Sequence, residues 1–84
     1  MTDINLAIQR ANQAKELLEN PLYIEAVAVM QASMFAEFES SKLDDTDKRH
    51  ELWQRMQLMK HFRGHFEAIV REGKRAEDTI KLTV

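Results

Sequence analysis

Apolar residues recur at intervals of three and four along the first segment of the chain. The repeated positions are Ile4, Ala7, Ile8, Ala11, Ala14 and Leu18. This spacing places them on one narrow face of a helix that we predict over residues 4–19. Asp3 precedes the pattern and suits the N-cap position. Because half of the face is alanine, the helix can approach a neighbour closely, but it gains little burial alone.

The dipeptide Asn20-Pro21 marks the first break in the pattern. Asn20 can cap a new helix, and Pro21 fits the first helical position because its φ is already near the helical value. The residue before a proline resists helical geometry, so one helix ends here and another begins. We predict that the second helix extends over residues 21–40.

The apolar surface of this second helix is unusually wide. Its apolar positions are Leu22, Tyr23, Ile24, Ala26, Val27, Ala28, Val29, Met30, Met34, Phe35 and Phe38. One partner helix cannot cover so wide a surface. We therefore expect it to be covered on more than one side, by the first and third helices or by another subunit.

The stretch "SSKLDDTDK" is the second break, because Ser, Asp and Thr side chains compete for backbone hydrogen bonds. Asp45 or Thr46 can cap the third helix. Its apolar seam steps by three and four residues through Leu52, Met56, Met59, Phe62, Phe66 and Ile69, with Val70 beside it. Gly73 follows a basic turn and predicts a left-handed stop, so that the helix covers residues 46–72.

Two features of the third segment remain to be interpreted, namely the residues after the predicted helix and the glycine inside it. Residues 75–84 can form a short helix or a flexible tail, and the pattern leaves both open. Gly64 in the helix interior costs about 1 kcal/mol relative to alanine. An unfavourable glycine needs a structural reason. We expect that Gly64 allows another backbone to approach closely, and access for a ligand is the second interpretation.

The predicted fold is all-α, a single helical domain over residues 1–84. Residues 21–40 and 46–72 form a long antiparallel helical hairpin, with an N-terminal helix at 4–19 and a short C-terminal segment. The chain has 84 residues, only 2 Gly and 1 Pro, which favours helix over sheet. A chain of this size buries only about 60–65% of its unfolded surface, so we expect an oligomeric bundle.

The expected interface consists of large side chains on the second helix and one on the third. They are Tyr23, Val27, Met30, Met34, Phe35, Phe38 and Trp53. Aromatic residues are enriched at interfaces, although Tyr23 and Trp53 fit the edge of a core equally well.

Charge is distributed unevenly along the chain. Residues 1–47 hold nine acidic and three basic side chains, a net charge of −6, whereas residues 48–84 hold nine basic and five acidic ones, a net charge of +4. Such a division suggests two elements that lie against each other, or a basic face for an anionic partner. The candidate anion-binding residues on the third helix are Lys60, His61, Arg63, His65 and Arg71. The alternative is pairing of these residues with the acidic second helix.

The chemistry of an enzyme or a metal site is missing from the sequence. No cysteine is present, which excludes a disulfide framework and a thiol nucleophile. His61 and His65 are four residues apart, but two imidazoles lack the further ligands of a metal site, and Phe62 stands where a metalloprotease needs glutamate. We expect no catalysis, no cofactor and no bound metal, and metal binding by His61 and His65 is the third and weakest alternative. The sequence also lacks a signal peptide or membrane span, so we expect a soluble protein that is not secreted.

Three stretches, "RANQAKELLENPLYIEA", "SSKLDDTDKRHELW" and "FRGHFEAIVREGKRAED", together resemble a known group of proteins. The group comprises small α-helical proteins of unknown activity encoded in tailed-phage and prophage structural gene modules. The matching positions are Ala14, Lys15, Leu17, Leu18, Glu25, Ala26, Asp47, Arg49, Leu52, Trp53, Gly73, Lys74 and Ala76. The tail after Gly73 and the pair His61/His65 depart from the group.

The resemblance implies a phage origin and a non-enzymatic part in virion assembly or DNA packaging, in the host cytoplasm or in the virion. It transfers no functional residue. The expected partners are further copies of the chain and other phage or host proteins, with no membrane. The alternative is a phage-encoded binder of a nucleotide, a nucleic acid or a host defence protein that uses the basic residues of the third helix.

Overall fold

The computed structural model describes residues 3–83, which form three α-helices. They are α1 (Ile4–Glu19), α2 (Pro21–Ser40) and α3 (Thr46–Thr83). The all-α prediction is confirmed, and the predicted bounds of the first two helices match. The side chain of Thr83 is outside the description, as are Met1, Thr2 and Val84.

Local capping explains why each helix begins where it does. The Asp3 carboxylate accepts two backbone N–H groups of α1 at 3.0 and 3.2 Å. Asn20 accepts two from α2 at 2.9 and 3.3 Å, and Pro21 occupies the first position of that helix. Asp45 accepts the N–H of Lys48 at 3.2 Å at the start of α3. Each oxygen satisfies donors that have no partner inside the helix, as the sequence predicted for these three residues.

The predicted end of the third helix at Glu72 is wrong, because α3 continues through Gly73 to Thr83. No glycine of the described chain has a positive φ. Gly73 is buried instead against α1. A Cβ at Gly73 would overlap the Cβ of Ala11 and lie 3.2 Å from the carbonyl oxygen of Ala7. The glycine therefore permits a close helix–helix approach. The segment left open between helix and tail is helical as far as Thr83.

The packing of α1 on α3 is the closest contact in the chain. The N-terminal end of α1 lies near the C-terminal end of α3, so the two helices are antiparallel. Ala11 and Ala14 of α1 are buried, and the other positions of its predicted apolar face are half-buried. That face is confirmed. On α3, the innermost line repeats every seven residues through Leu52, Met59, Phe66 and Gly73. Ile80 continues the repeat but is 38% exposed.

The packing of α2 on the first half of α3 is consistent with the predicted antiparallel hairpin. Near the connecting loop, the Arg49 guanidinium lies 4.3 Å from the centre of the Phe38 ring. At the far end, the rings of Tyr23 and Phe66 meet edge to face at 6.5 Å. These large side chains hold α2 further from α3 than the alanines hold α1, because close approach needs small residues.

The molecule is a long rod. Its extents are 61 × 25 × 17 Å and its radius of gyration is 18.0 Å, whereas a compact chain of this length has about 12 Å. Its accessible surface is 6968 Å², and a compact protein of the same mass exposes about 5,200 Å². About 1,800 Å² of surface is therefore in excess of what a compact monomer shows.

The expectation for Gly64 is wrong within the described residues. Apart from the adjoining residues and backbone of α3 itself, no atom of the described chain lies within 4 Å of the place where a Cβ would stand on Gly64. Neither α1 nor α2 approaches it closely, so its helical cost is not offset by packing inside this chain.

The two glycines of α3 therefore predict opposite effects of one substitution. Gly73→Ala should lower the free energy of unfolding by about 1–3 kcal/mol, because the added methyl group overlaps α1. Gly64→Ala is the matched control and should raise it by up to about 1 kcal/mol through helix propensity. Urea unfolding followed by circular dichroism measures both. If the two variants changed stability in the same direction, the assigned packing of Gly73 would be incorrect.

Candidate protein interaction surface

Helix α2 has no buried residue, although most of its 20 residues are apolar. Its only charged side chains are Glu25, Glu37 and Glu39. Val29 and Phe35 leave 60% and 57% of their surface exposed. A helix that is apolar on all sides is normally buried in a core or an interface. In the isolated chain, α2 therefore presents an uncovered apolar surface.

The predicted interface residues divide into two groups in the structure. Tyr23, Val27, Met34 and Phe38 are half-buried and form the side of α2 that faces α3. Met30 and Phe35 are exposed on either side of this line, and Trp53 is exposed on α3. Trp53 stacks on His50 one turn earlier, with ring centres 6.1 Å apart. The structure thus does not bring the seven residues together as one patch.

An apolar groove of about 610 Å³ runs between α2 and α3. Its α2 side consists of Tyr23, Ala26, Val27, Met30 and Met34. Its α3 side consists of Arg55, Leu58, Met59 and Phe62. Arg55 is the one charged residue in the lining, and it already forms an ion pair with Glu51 at 2.6 Å. We call this feature the α2–α3 groove.

Leu58 is the groove residue that the sequence pattern missed. It is 70% exposed and lies one position before Met59, outside the seam that steps by three and four. Phe62 was assigned to the seam, but 58% of it is exposed. The sequence did contain a signal for Leu58. A seam needs apolar residues on only one stripe of the helix, so a large apolar residue beside that stripe indicates a further contact.

An aromatic cluster closes the far end of the groove. The Phe66 ring meets Phe62 at 5.2 Å, His65 at 5.6 Å and Tyr23 at 6.5 Å, all nearly edge to face. This geometry is favourable for aromatic pairs. The Tyr23 hydroxyl is buried there and has no hydrogen-bond partner among the described residues. Such a group costs free energy in the folded state.

The basic residues of α3 lie on an exposed part of the helix. Lys60, Arg63 and Arg71 are exposed, and their spacing places them along one stripe with Glu67 between them. Arg63 pairs with Glu67 at 3.2 Å. All three ion pairs among residues 3–83 lie within α3, so the alternative of pairing with α2 across the hairpin is wrong for the described chain.

His61 and His65 are both exposed and lie one turn apart on α3. Each residue of a helix is rotated about the helix axis relative to the one before it. His61 and His65 therefore lie to one side of the stripe formed by Lys60, Arg63 and Arg71. Within the described part of the chain, no three histidine, cysteine, aspartate or glutamate side chains are grouped as metal ligands would be. Lys60, Arg63 and the two histidines nevertheless line one open cleft together with Glu67, whereas Arg71 lies outside it.

Two general findings complete the description of the surface. Among residues 3–83, none of the helices combines the length and apolar character needed to cross a bilayer. Comparison of the chain with models of protein families, with curated proteins and with solved structures gives no match. The all-helical architecture and the uncovered surface of α2 are therefore the features of the molecule that bear on its function.

The unpartnered hydroxyl of Tyr23 predicts the effect of removing it. Tyr23→Phe keeps the ring contact with Phe66 and deletes the buried hydroxyl, so it should raise the free energy of unfolding by about 1 kcal/mol. Tyr23→Leu is the control that removes the aromatic contact and should lower stability. Both are measured by urea unfolding. A loss of stability in Tyr23→Phe would mean that the hydroxyl has a hydrogen-bond partner.

Proposed function

We propose that this chain is a non-catalytic protein that self-associates and acts through protein–protein contacts made by α2. The observation that carries the proposal is that α2, with 20 residues and three charges, has no buried residue. Covering apolar surface is worth about 25 cal/mol per Å², so another protein chain on α2 would stabilise both partners.

The size of the uncovered surface supports the same proposal. The chain exposes about 1,800 Å² more than a compact protein of its mass. A stable protein–protein interface buries about 800 Å² on each partner. Association through α2 can therefore remove a large part of the excess surface, which the three helices of one chain leave exposed.

The sequence resemblance adds a biological setting to this proposal. It suggests a phage-encoded protein that serves virion assembly or DNA packaging, in the host cytoplasm or in the virion. Such a role needs an adhesive surface for copies of the chain and for other phage or host proteins. It needs no active centre.

The alternative is a phage-encoded protein that binds a nucleotide, a nucleic acid or a host defence protein through the basic residues of α3. In its favour, Lys60 and Arg71 are exposed and make no ion pair among the described residues. Against it, Glu67 lies between them and neutralises Arg63. Phosphate binding needs several free positive charges, so association through α2 has the stronger support.

The proposal predicts a concentration-dependent assembly. Light scattering after size exclusion should give a mass above that of one chain, and the melting temperature should rise with protein concentration. Leu43→Glu is the control: Leu43 lies in the loop between α2 and α3 and is 86% exposed. This variant should associate like the original chain if α2 is responsible. A folded monomer with a constant melting temperature at every concentration would refute self-association.

The anion-binding alternative has its own test. We expect fluorescence anisotropy with labelled oligonucleotides to show no binding tighter than about 10⁻⁶ M, the range of non-specific contacts. The double variant Lys60→Ala/Arg71→Ala and the control Lys15→Ala, on α1, should then behave alike. Tight binding that falls steeply with salt and is lost only in the double variant would replace the proposed function by the alternative.

A further inference from the structure

The two sides of the α2–α3 hairpin differ in charge. The α2–α3 groove exposes almost only apolar atoms and holds one charged residue, Arg55, which is already paired. The opposite side carries Lys60, Arg63 and Glu67 around a cleft next to Val27 and Gly64. Burying charged groups is costly unless each finds a partner. A protein partner can therefore cover the groove at a lower desolvation cost than the opposite side.

We infer that the α2–α3 groove is a self-complementary dimer interface whose occupant is the same groove of a second copy. The inference rests on the proposed function and specifies its partner and its surface. Two hairpins meet face to face around a twofold axis, and α2 and the first half of α3 from each copy form a four-helix arrangement.

The shape of the face supports self-complementarity. Met30 on α2 and Leu58 and Phe62 on α3 line the groove and are also 55%, 70% and 58% exposed. One face thus offers both a depression and protruding apolar side chains. In a twofold dimer, the protruding side chains of each copy enter the depression of the other, because the same surface serves both partners.

The area of the surface agrees with a dimer. A standard interface removes about 800 Å² from each partner. The excess surface of this chain is about 1,800 Å², so one such contact covers roughly half of it. Val29 and Ile24 of α2 lie outside the lining of the groove and also stay exposed, at 60% and 52%.

The net charge of the hairpin does not oppose the meeting of two copies. Helix α2 has three acidic and no basic side chains, a net charge of −3. Residues 46–63 have five basic and two acidic ones, a net charge of +3. No ion pair among the described residues joins the two segments within one chain. The charges of the two segments balance, so two hairpins can meet without net repulsion, while Lys60 and Arg63 stay on the side opposite to the groove.

Glutamate substitutions on the two sides of the hairpin test this interface by sedimentation equilibrium. Leu58→Glu places a charge in the groove. Because each substitution occurs twice in a twofold dimer, the dissociation constant should rise by about a hundredfold or more. Phe35→Glu is the matched control. Phe35 is similarly exposed but lines a separate cleft with Met56, and the variant should keep the dimer within about threefold of the original constant.

Cysteine cross-linking tests the same interface without adding a charge. The chain contains no cysteine, so a single introduced thiol reports only its own position. Leu58→Cys should form a disulfide between two copies on mild oxidation, because the twofold axis brings the two groove centres together. Leu43→Cys, in the loop, should remain reduced. Since Leu58 is exposed in the single chain, its replacement should preserve the helical fold, which circular dichroism checks.

The possible outcomes separate the inference from the proposed function. A dimer that survives Leu58→Glu, dissociates with Phe35→Glu and fails to cross-link through Leu58→Cys would overturn the groove assignment and leave self-association intact. A chain that is monomeric without any substitution would overturn both. Dissociation by Leu58→Glu alone, together with the Leu58→Cys cross-link, would establish the groove as the dimer interface.

Discussion

The close approach of α1 to α3 at Gly73 is the constraint on which the rest of the arrangement depends. Because Gly73 has no side chain, Ala7 and Ala11 of α1 reach the backbone of α3. The first half of α3 presents Met59 and other large side chains instead, so α2 is held further away. Since α1 and α2 are joined at Asn20, one chain combines a tight helix pair at one end with a loose pair at the other.

This difference in spacing explains why the apolar surface is uncovered where it is. Alanines pack at short range, so α1 buries Ala11 and Ala14 against α3 and leaves the rest of its narrow face half-buried. Where α2 and α3 are loosely packed, a groove remains beside α2. Helix α1 does not cover this groove, because it packs on another part of α3. The folding free energy of a rod with so much exposed apolar surface is small. Stability and association are therefore expected to be linked, because a partner that covers α2 also holds the hairpin closed.

Electrostatics contributes little to the fold of the single chain. The three ion pairs found among residues 3–83 lie between residues three or four apart on the exposed surface of α3, where each is worth about 0.3–0.5 kcal/mol. The acidic charge of α2 has no partner among them. The division of charge along the sequence is therefore not used to join the helices of one chain. It remains available for contacts between chains.

Sequence alone determined what depends on neighbouring residues: the caps at Asp3 and Asn20, the choice between Asp45 and Thr46 as the cap of the third helix, the bounds of the first two helices, and the apolar face of α1. Only the tertiary structure decided the role of Gly73. A glycine at this position can either end its helix or allow a second helix to pack closely against it. Which of the two occurs depends on whether another backbone lies next to the glycine. It also decided that Leu58 and Phe62 stay exposed, since exposure depends on how far α2 stands from α3. Local hydrogen bonding and periodicity are encoded within a few residues, but helix spacing arises from side chains far apart in the chain.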